Sequence, residues 1–510
     1  MRRHKVPPML TRPRLALWLL PALVALVYLP SLDFPFQFDD YKVIVDNPAV
    51  HSLEAWWGSM PGIRPLLKLS YALNWTLAPS PFAFRLVNVT LHAINALLVW
   101  RILSVLAQRL ALPAALPWLT AALFAGHPIQ TEAVTYVCGR SVSLMACFYL
   151  LSVLAWLQAT GSDRPRQIWL SALAFLCALL TRETALILPF ALWLAGSTGT
   201  PAPLPRPTQT SEKNPKATVL RADLHAYRWP LAMATIAALA LACMLTLPAY
   251  QHFFSVAFAQ RTPLDNLSLQ VDAVYRLTSH LVRPALMNAD PGLPTVVIRD
   301  AALAARAALL ILLMALAALA LRQRSFAGFC MLWFFLHLAP TNSFVPRIDV
   351  VNDRQLYLSA IGAFALLGLL ACRAAQWLQS AVTAACGIAR SATGRALHLL
   401  PNLLLTLTLI ACPAWQAMTR NRVYRDEIAF WQDVTLKSPW NARAFNNLGY
   451  AYQLAGRHDA ARAAYRHALA LSASLTQAHW NLELLPPADA DPIPKRLTAP
   501  ASPDRPSSAH

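Results

Sequence analysis

The apolar residues of this chain fall into long runs separated by polar segments. Eleven such runs lie at roughly 15–32, 86–107, 113–126, 141–158, 168–181, 183–196, 229–250, 302–321, 326–340, 355–372 and 398–418. A perpendicular membrane span needs about 20 apolar residues, so several runs are short. The two that flank Thr181-Arg182-Glu183 read either as one kinked hairpin or as a re-entrant element. The pattern predicts an all-α, polytopic membrane protein. It has about 11 transmembrane helices between residues 15 and 418.

Two intervals are too long for simple turns. Residues 33–85 carry Trp56, Trp57, Tyr71 and Trp75 in amphipathic pieces suited to lying in the membrane interface. Residues 251–301 are similar. Gly196–Asn214, rich in Pro, Thr and Gly, reads as a flexible linker. Beyond the last span, Asn441–Ser474 is a 34-residue unit containing Asn446-Asn-Leu-Gly-Tyr-Ala-Tyr452, Gly456, Ala461, Tyr465 and Ala468. It looks like a tetratricopeptide repeat, with small residues where two helices touch. Leu448 recurs as Leu482 and Asn447 as Asn481, and Trp431 anticipates Tyr465. Residues 419–486 are therefore expected to be a short helical stack that leans on the membrane domain or on a partner. Residues 487–510 are expected to be a disordered tail, and 1–14 a basic cytoplasmic N-terminus.

Composition sharpens the class. The chain has 510 residues, 57% hydrophobic and 13% charged, with mean hydropathy +0.43. Soluble domains carry about 25% charged residues. The net charge of +19 suggests nucleic acid, but the basic residues are scattered over many loops, as membrane orientation requires. No nucleic-acid partner is expected. Arg2, Arg3, Lys5, Arg12 and Arg14 precede the first run, which is long enough to stay as an uncleaved helix. With the N-terminus inside, alternate loops follow the positive-inside rule. The loops of Asp39–Asp40, His127 and Arg354, the 251–301 interval and the C-terminus then share the outer face. The eight cysteines form no CxxC pair, which argues against a disulfide framework or zinc site.

Candidate chemistry concentrates on that face. Asp39 and Asp40 sit together where the first helix emerges, a costly placement for two carboxylates. Such a carboxylate suits deprotonation of an acceptor hydroxyl, and a polytopic helical fold suits a lipid-linked donor. His127 and Glu132 are placed either to orient an acceptor or carrier phosphate, or to cap helices. Arg64, Arg140, Arg182 and Arg354 have the two-pronged fork that binds phosphate; ordinary snorkelling is the competing reading. Arg182 beside Glu183, between two apolar runs, is either a structural ion pair or a phosphate site. No cofactor is assigned, and a divalent metal lacks support from any spacing such as His-x-x-x-His.

Several segments carry a resemblance. They are Phe38-Asp-Asp-Tyr-Lys-Val-Ile-Val-Asp-Asn-Pro-Ala-Val50, Arg64–Ser70, Arg85–His92, His127–Val134 with Gly139-Arg140, Thr181-Arg-Glu183, and Asp353–Leu358 following Pro340–Ser343. In order, they resemble the tetratricopeptide-containing transmembrane O-mannosyltransferases, within the GT-C glycosyltransferase superfamily and related to the protein O-mannosyltransferases. Arg182 stands where that family more often has Lys, Asp353 where animal members have Glu, and the repeat array is short. The resemblance implies a bacterial relative with a GT-C-like domain and a polyprenyl-phosphate-linked sugar donor. It implies that one of Asp39 and Asp40 is the base, with Asp40 favoured. Glu183 joins His127 and Glu132 as a substrate-positioning candidate. The acceptor is expected to be Ser or Thr of an exported polypeptide, held by the repeats on the periplasmic side of an inner membrane.

Two other functions are weighed. A repeat-bearing membrane scaffold needs only one or two spans and no charged outer motifs. A transporter or lipid-carrier flippase would place ionisable residues at mid-span and repeat its halves.

Overall fold

The structure, a computed structural model, describes residues 13–160, 165–198, 215–293, 300–347, 349–386 and 392–486. The start of the basic N-terminus, most of the expected linker and the expected tail Asp489–His510 lie outside them. Each apolar run is centred on a helix. Five helices are long and apolar enough to cross a membrane: Pro81–Arg109, Val137–Thr160, Trp229–Thr246, Ala301–Arg322 and Asp353–Ala381. Five shorter apolar helices accompany them: Leu15–Ser31, Leu116–Gly126, Arg166–Thr181, Glu183–Thr198 and Phe326–Leu338.

Local chemistry sets the boundaries. Ser80 accepts the amide of Ala83 and Pro81 takes the first helical position, so Pro81–Arg109 begins ahead of its apolar run. The run at 229–250 is not one helix: Pro248 has no amide to donate, and Pro215–Thr246 gives way at Leu247 to Pro248–Gln260. Between Pro165–Thr181 and Leu188–Thr198, Arg182 is extended (φ −161°) and a short 3-10 turn, Glu183–Ile187, follows. The two short runs are therefore separate helices that break at the arginine.

The main core gathers side chains from most of these helices, including Leu20, Val99, Phe124, Tyr149, Trp333 and Phe364. A second core lies at one end of the bundle. There Phe36 and Ile44 from the first long interval meet Tyr136, Tyr424, Trp431 and Leu448. The C-terminal helices thus share a hydrophobic core with the loop that bears Asp39 and Asp40. Among those helices, Ala442–Leu454 and His458–Leu471 pack as a pair. A Cβ on Gly449 would meet the Tyr465 ring at 2.6 Å, so that crossing admits only glycine.

Candidate active site

The acidic pair is divided by a turn. Phe38 adopts φ +50°, uncommon for a bulky residue, and the two carboxylates that follow have different surroundings. Asp40 is fully buried. Its Oδ1 accepts the Cys138 amide at 2.8 Å and its Oδ2 the Gln37 amide at 3.1 Å. Burial raises its pKa to about 6. Asp40 therefore staples the loop to the start of the long helix Val137–Thr160. Asp39 is half-buried and lines an open cleft; its amide donates to the Tyr136 hydroxyl at 3.1 Å. Burial raises the Asp39 pKa, and the Arg354 charge opposes that. Of the pair favoured in the order Asp40 then Asp39, it is Asp39 that lines the cleft, and Asp40 does not.

Glu132 and Arg354 form the floor. The Arg354 amide donates to Glu132 Oε2 at 3.1 Å, and its Nε lies 3.4 Å from Oε1. Burial raises Glu132 to about 7, against the pull of Arg354. The Arg354 guanidinium also lies 5.8 Å from the Tyr136 ring centre. Asp290, Asp349, Tyr424, Phe430 and Arg443 complete the walls of a cleft of about 380 Å³, open mouth included.

Behind Arg354 stands a group of arginines. Arg64, itself left-handed at φ +54°, holds Glu183 with two prongs, Nε to Oε1 at 2.9 Å and Nη2 to Oε2 at 2.8 Å. The Tyr250 hydroxyl donates to the same carboxylate at 2.8 Å. Glu183 is thus committed to Arg64 and not to its neighbour Arg182. Arg182 is buried, and donates from Nη1 to Ser141 Oγ at 2.8 Å. It has no carboxylate partner among the described residues. Burial, then the charges of Arg64, Arg347 and Arg354, push its pKa well down. Arg347 is pushed to about 10 by burial and by Arg354 and Arg64. Among the described residues, two of these four cations, Arg182 and Arg347, have no close ion-pair partner, a disposition that attracts an anion.

Two candidates take other roles. Arg140 is fully buried, with Nε on Asn88 Oδ1 at 2.9 Å and Nη2 on Asn74 Oδ1 and the Phe84 carbonyl, both at 2.8 Å. Its guanidinium, packed between Tyr71 and Phe84, clamps helices and has no prong to offer a phosphate. His127 caps the turn Pro128–Gln130 by accepting the Ile129 amide at 3.2 Å. Burial lowers it to about 4, so it is neutral, and it does not line the cleft.

Arg347, Tyr136, Asp349 and Arg443 belong to the site's surroundings but went unread in the sequence. The signal for Arg347 was its position just after Pro340–Ser343. Among the described residues, no three His, Cys, Asp or Glu side chains converge as a metal site.

The fold and site define an all-helical multi-pass membrane protein, with an acid and a group of arginines at one end of its helix bundle. Its sequence relatives are protein O-mannosyl-transferases. It is 32% identical to mouse (Mus musculus) TMTC3 over 31% of this chain and 19% of that one. With fruit-fly (Drosophila melanogaster) Tmtc2 the identity is 37%, over 32% and 20% of the two chains. With mouse TMTC4 it is 33%, over 30% and 26%. The chain thus matches about a fifth to a quarter of the length of these curated relatives. A solved archaeal oligosaccharyltransferase, AglB from Archaeoglobus fulgidus, aligns over 96% of this chain and 61% of that one, at 12% identity and TM-score 0.43. No family model matches.

Proposed function

We propose that this protein is a GT-C-type membrane glycosyltransferase that moves a sugar from a polyprenyl-phosphate carrier to a Ser or Thr hydroxyl of an exported polypeptide. The observation that carries this reading is Asp39, half-buried in a cleft lined by the Glu132–Arg354 pair and near two arginines that have no close acid partner among the described residues. Sequence similarity to protein O-mannosyl-transferases supports the reaction class.

The reaction is a single displacement. The Asp39 carboxylate accepts the acceptor's hydroxyl proton while that oxygen bonds to sugar C1. The bond between C1 and the phosphate oxygen breaks on the opposite side, inverting C1, and the electron pair leaves with the lipid phosphate. Arg182, Arg347 and Arg354 stabilise the charge that develops there. Arg64 and Glu183 brace this group, and Glu132 fixes Arg354. In this reading about 11 helices span the membrane, the basic N-terminus is cytoplasmic, and the site faces outward. The alanine- and arginine-rich composition favours a bacterial inner membrane, with the site in the periplasm.

The test uses purified protein in lipid vesicles with polyprenyl-phosphate-linked mannose and a Ser/Thr peptide. Wild type is expected to add one hexose mass, and Asp39→Asn is expected to abolish transfer at unchanged protein level. Full transfer by Asp39→Asn overturns the mechanism.

A further inference from the structure

The cleft beside Asp39 has a wall drawn from the far end of the chain. Tyr424, Phe430 and Arg443 line it together with Glu132 and Arg354. That wall is held by a dense lattice on residues 287–292. Lys437 Nζ donates to the Met287 carbonyl at 2.8 Å, Ser438 Oγ to that of Pro291 at 2.8 Å and Trp440 Nε1 to that of Gly292 at 3.0 Å. Asn441 Nδ2 donates to the Asp290 carbonyl at 3.0 Å. Gly292, at φ +55°, lies so near Asn441 that a Cβ would come within 2.7 Å of it.

Within the lattice, Arg443 is the group that enters the cleft. Its Nε and Nη2 hold Asp290 Oδ2 and Oδ1 at 3.0 and 2.8 Å, and Nη2 stands 3.6 Å from Asp349 Oδ1. Two prongs on one carboxylate fix orientation as well as distance. Asp349 in turn lies near enough to Asp39 to raise its pKa. One arginine on the C-terminal helices therefore joins two acids that line the same cleft as Asp39, namely Asp290 and Asp349.

We propose that the C-terminal helical segment is the acceptor-side wall of the cleft, and that Arg443 is the positioning residue that sets its distance from Asp39. This rests on the transferase reading. The acceptor class is that of the proposed transferase, a hydroxyl-bearing side chain of a polypeptide.

The experiment measures transfer to a Ser/Thr peptide by the full-length protein in vesicles, for wild type, Arg443→Ala, Arg443→Lys and Asp290→Asn. Arg443→Ala is expected to raise the acceptor KM about tenfold, the scale of losing hydrogen bonds to a charged group. Donor KM and kcat at saturating acceptor stay within about twofold. Arg443→Lys, which keeps the charge and loses the second prong, falls between, and Asp290→Asn resembles Arg443→Ala. An unchanged acceptor KM in Arg443→Ala and Asp290→Asn, with Asp39→Asn inactive, overturns the positioning role and leaves the transferase reading standing. A fall in kcat alone overturns it equally, as the mark of general destabilisation. A wild-type protein that transfers nothing refutes both.

Discussion

Arg64 and Glu183 are 119 residues apart in sequence and meet through two parallel prongs, 2.9 and 2.8 Å long, at the mouth of the arginine group. The pair joins the loop before Pro65–Leu77 to the break between two short apolar helices. It also balances the charge of one of four neighbouring cations. Removing either partner leaves the other unpaired in a partly buried setting. Arg64→Ala and Glu183→Ala are each expected to lower thermal stability in detergent. The double variant should lose less than their sum, with a coupling of about 1–3 kcal/mol. A coupling near zero would mean that the pair contributes only geometry.

Asp39→Asn and Asp40→Asn should fail in different ways. At Asp39 the base is lost, and transfer drops on the order of 10²–10⁴-fold with the melting temperature unchanged. At Asp40 an amide NH₂ would replace one of two oxygens that each accept a backbone amide. A donor facing a donor costs about 1–3 kcal/mol, so Asp40→Asn is expected to lower the melting temperature and the yield of folded protein. The wild-type carboxyl carries its own pH signature. Its folded pKa of about 6 lies above the unfolded value near 4. The folded state holds that proton more tightly. The associated stability is full below pH ~4 and is lost as pH rises through about 6. Melting curves across that window should show this slope in wild type and a flatter one in Asp40→Asn.

The pH dependence of transfer follows from Asp39. Only its carboxylate form accepts a proton, so kcat/KM should rise with pH as the group ionises. Burial raises its pKa, so the half-point should lie above the ~3.9 of an ordinary aspartate. The Asp349 charge raises it further, so Asp349→Asn should move the acid limb downward. A pH–rate profile on both proteins checks this. A limb that stays near pH 4 in each would remove Asp39 from the base role.

The helical membrane architecture was legible because burial in lipid imposes unbroken apolar runs, and each run is centred on a helix. The acidic pair was legible as a candidate site because two carboxylates at a helix exit need a reason. Which of them faces the cleft was not. That choice is made by the left-handed turn at Phe38 and by Cys138, whose amide lies 98 residues further on. Adjacency misled in the same way at Arg182-Glu183. An extended residue at a helix break sends neighbouring side chains apart, so Glu183 finds Arg64. Arg140 read as an outer-end cation because its partners, Asn74 and Asn88, are neutral amides with no charge pattern to reveal them. The wall contributed by Arg443 was invisible, since nothing local ties the repeat to residues 287–292.

The arginines divide into clamp and anion site, and substitution should separate them. Arg140 satisfies two buried asparagines and two backbone carbonyls. Arg140→Ala strands those groups, and a loss of about 3–5 kcal/mol is expected, enough to deplete folded protein. Arg182 makes one hydrogen bond, to Ser141, and is pressed by three like charges. Relieving that repulsion costs the fold little, so Arg182→Ala should reach the membrane at wild-type level and melt at or slightly above the wild-type temperature. Its donor KM should rise about 10–100-fold, the scale of one or two charge-assisted bonds to phosphate, with the acceptor KM unmoved. Arg182→Lys keeps a point charge and should recover part of the loss. Steady-state kinetics with varied polyprenyl-phosphate-linked sugar read the difference. If Arg182→Ala instead unfolds the protein at unchanged donor KM, the buried cation is structural and the phosphate lies elsewhere.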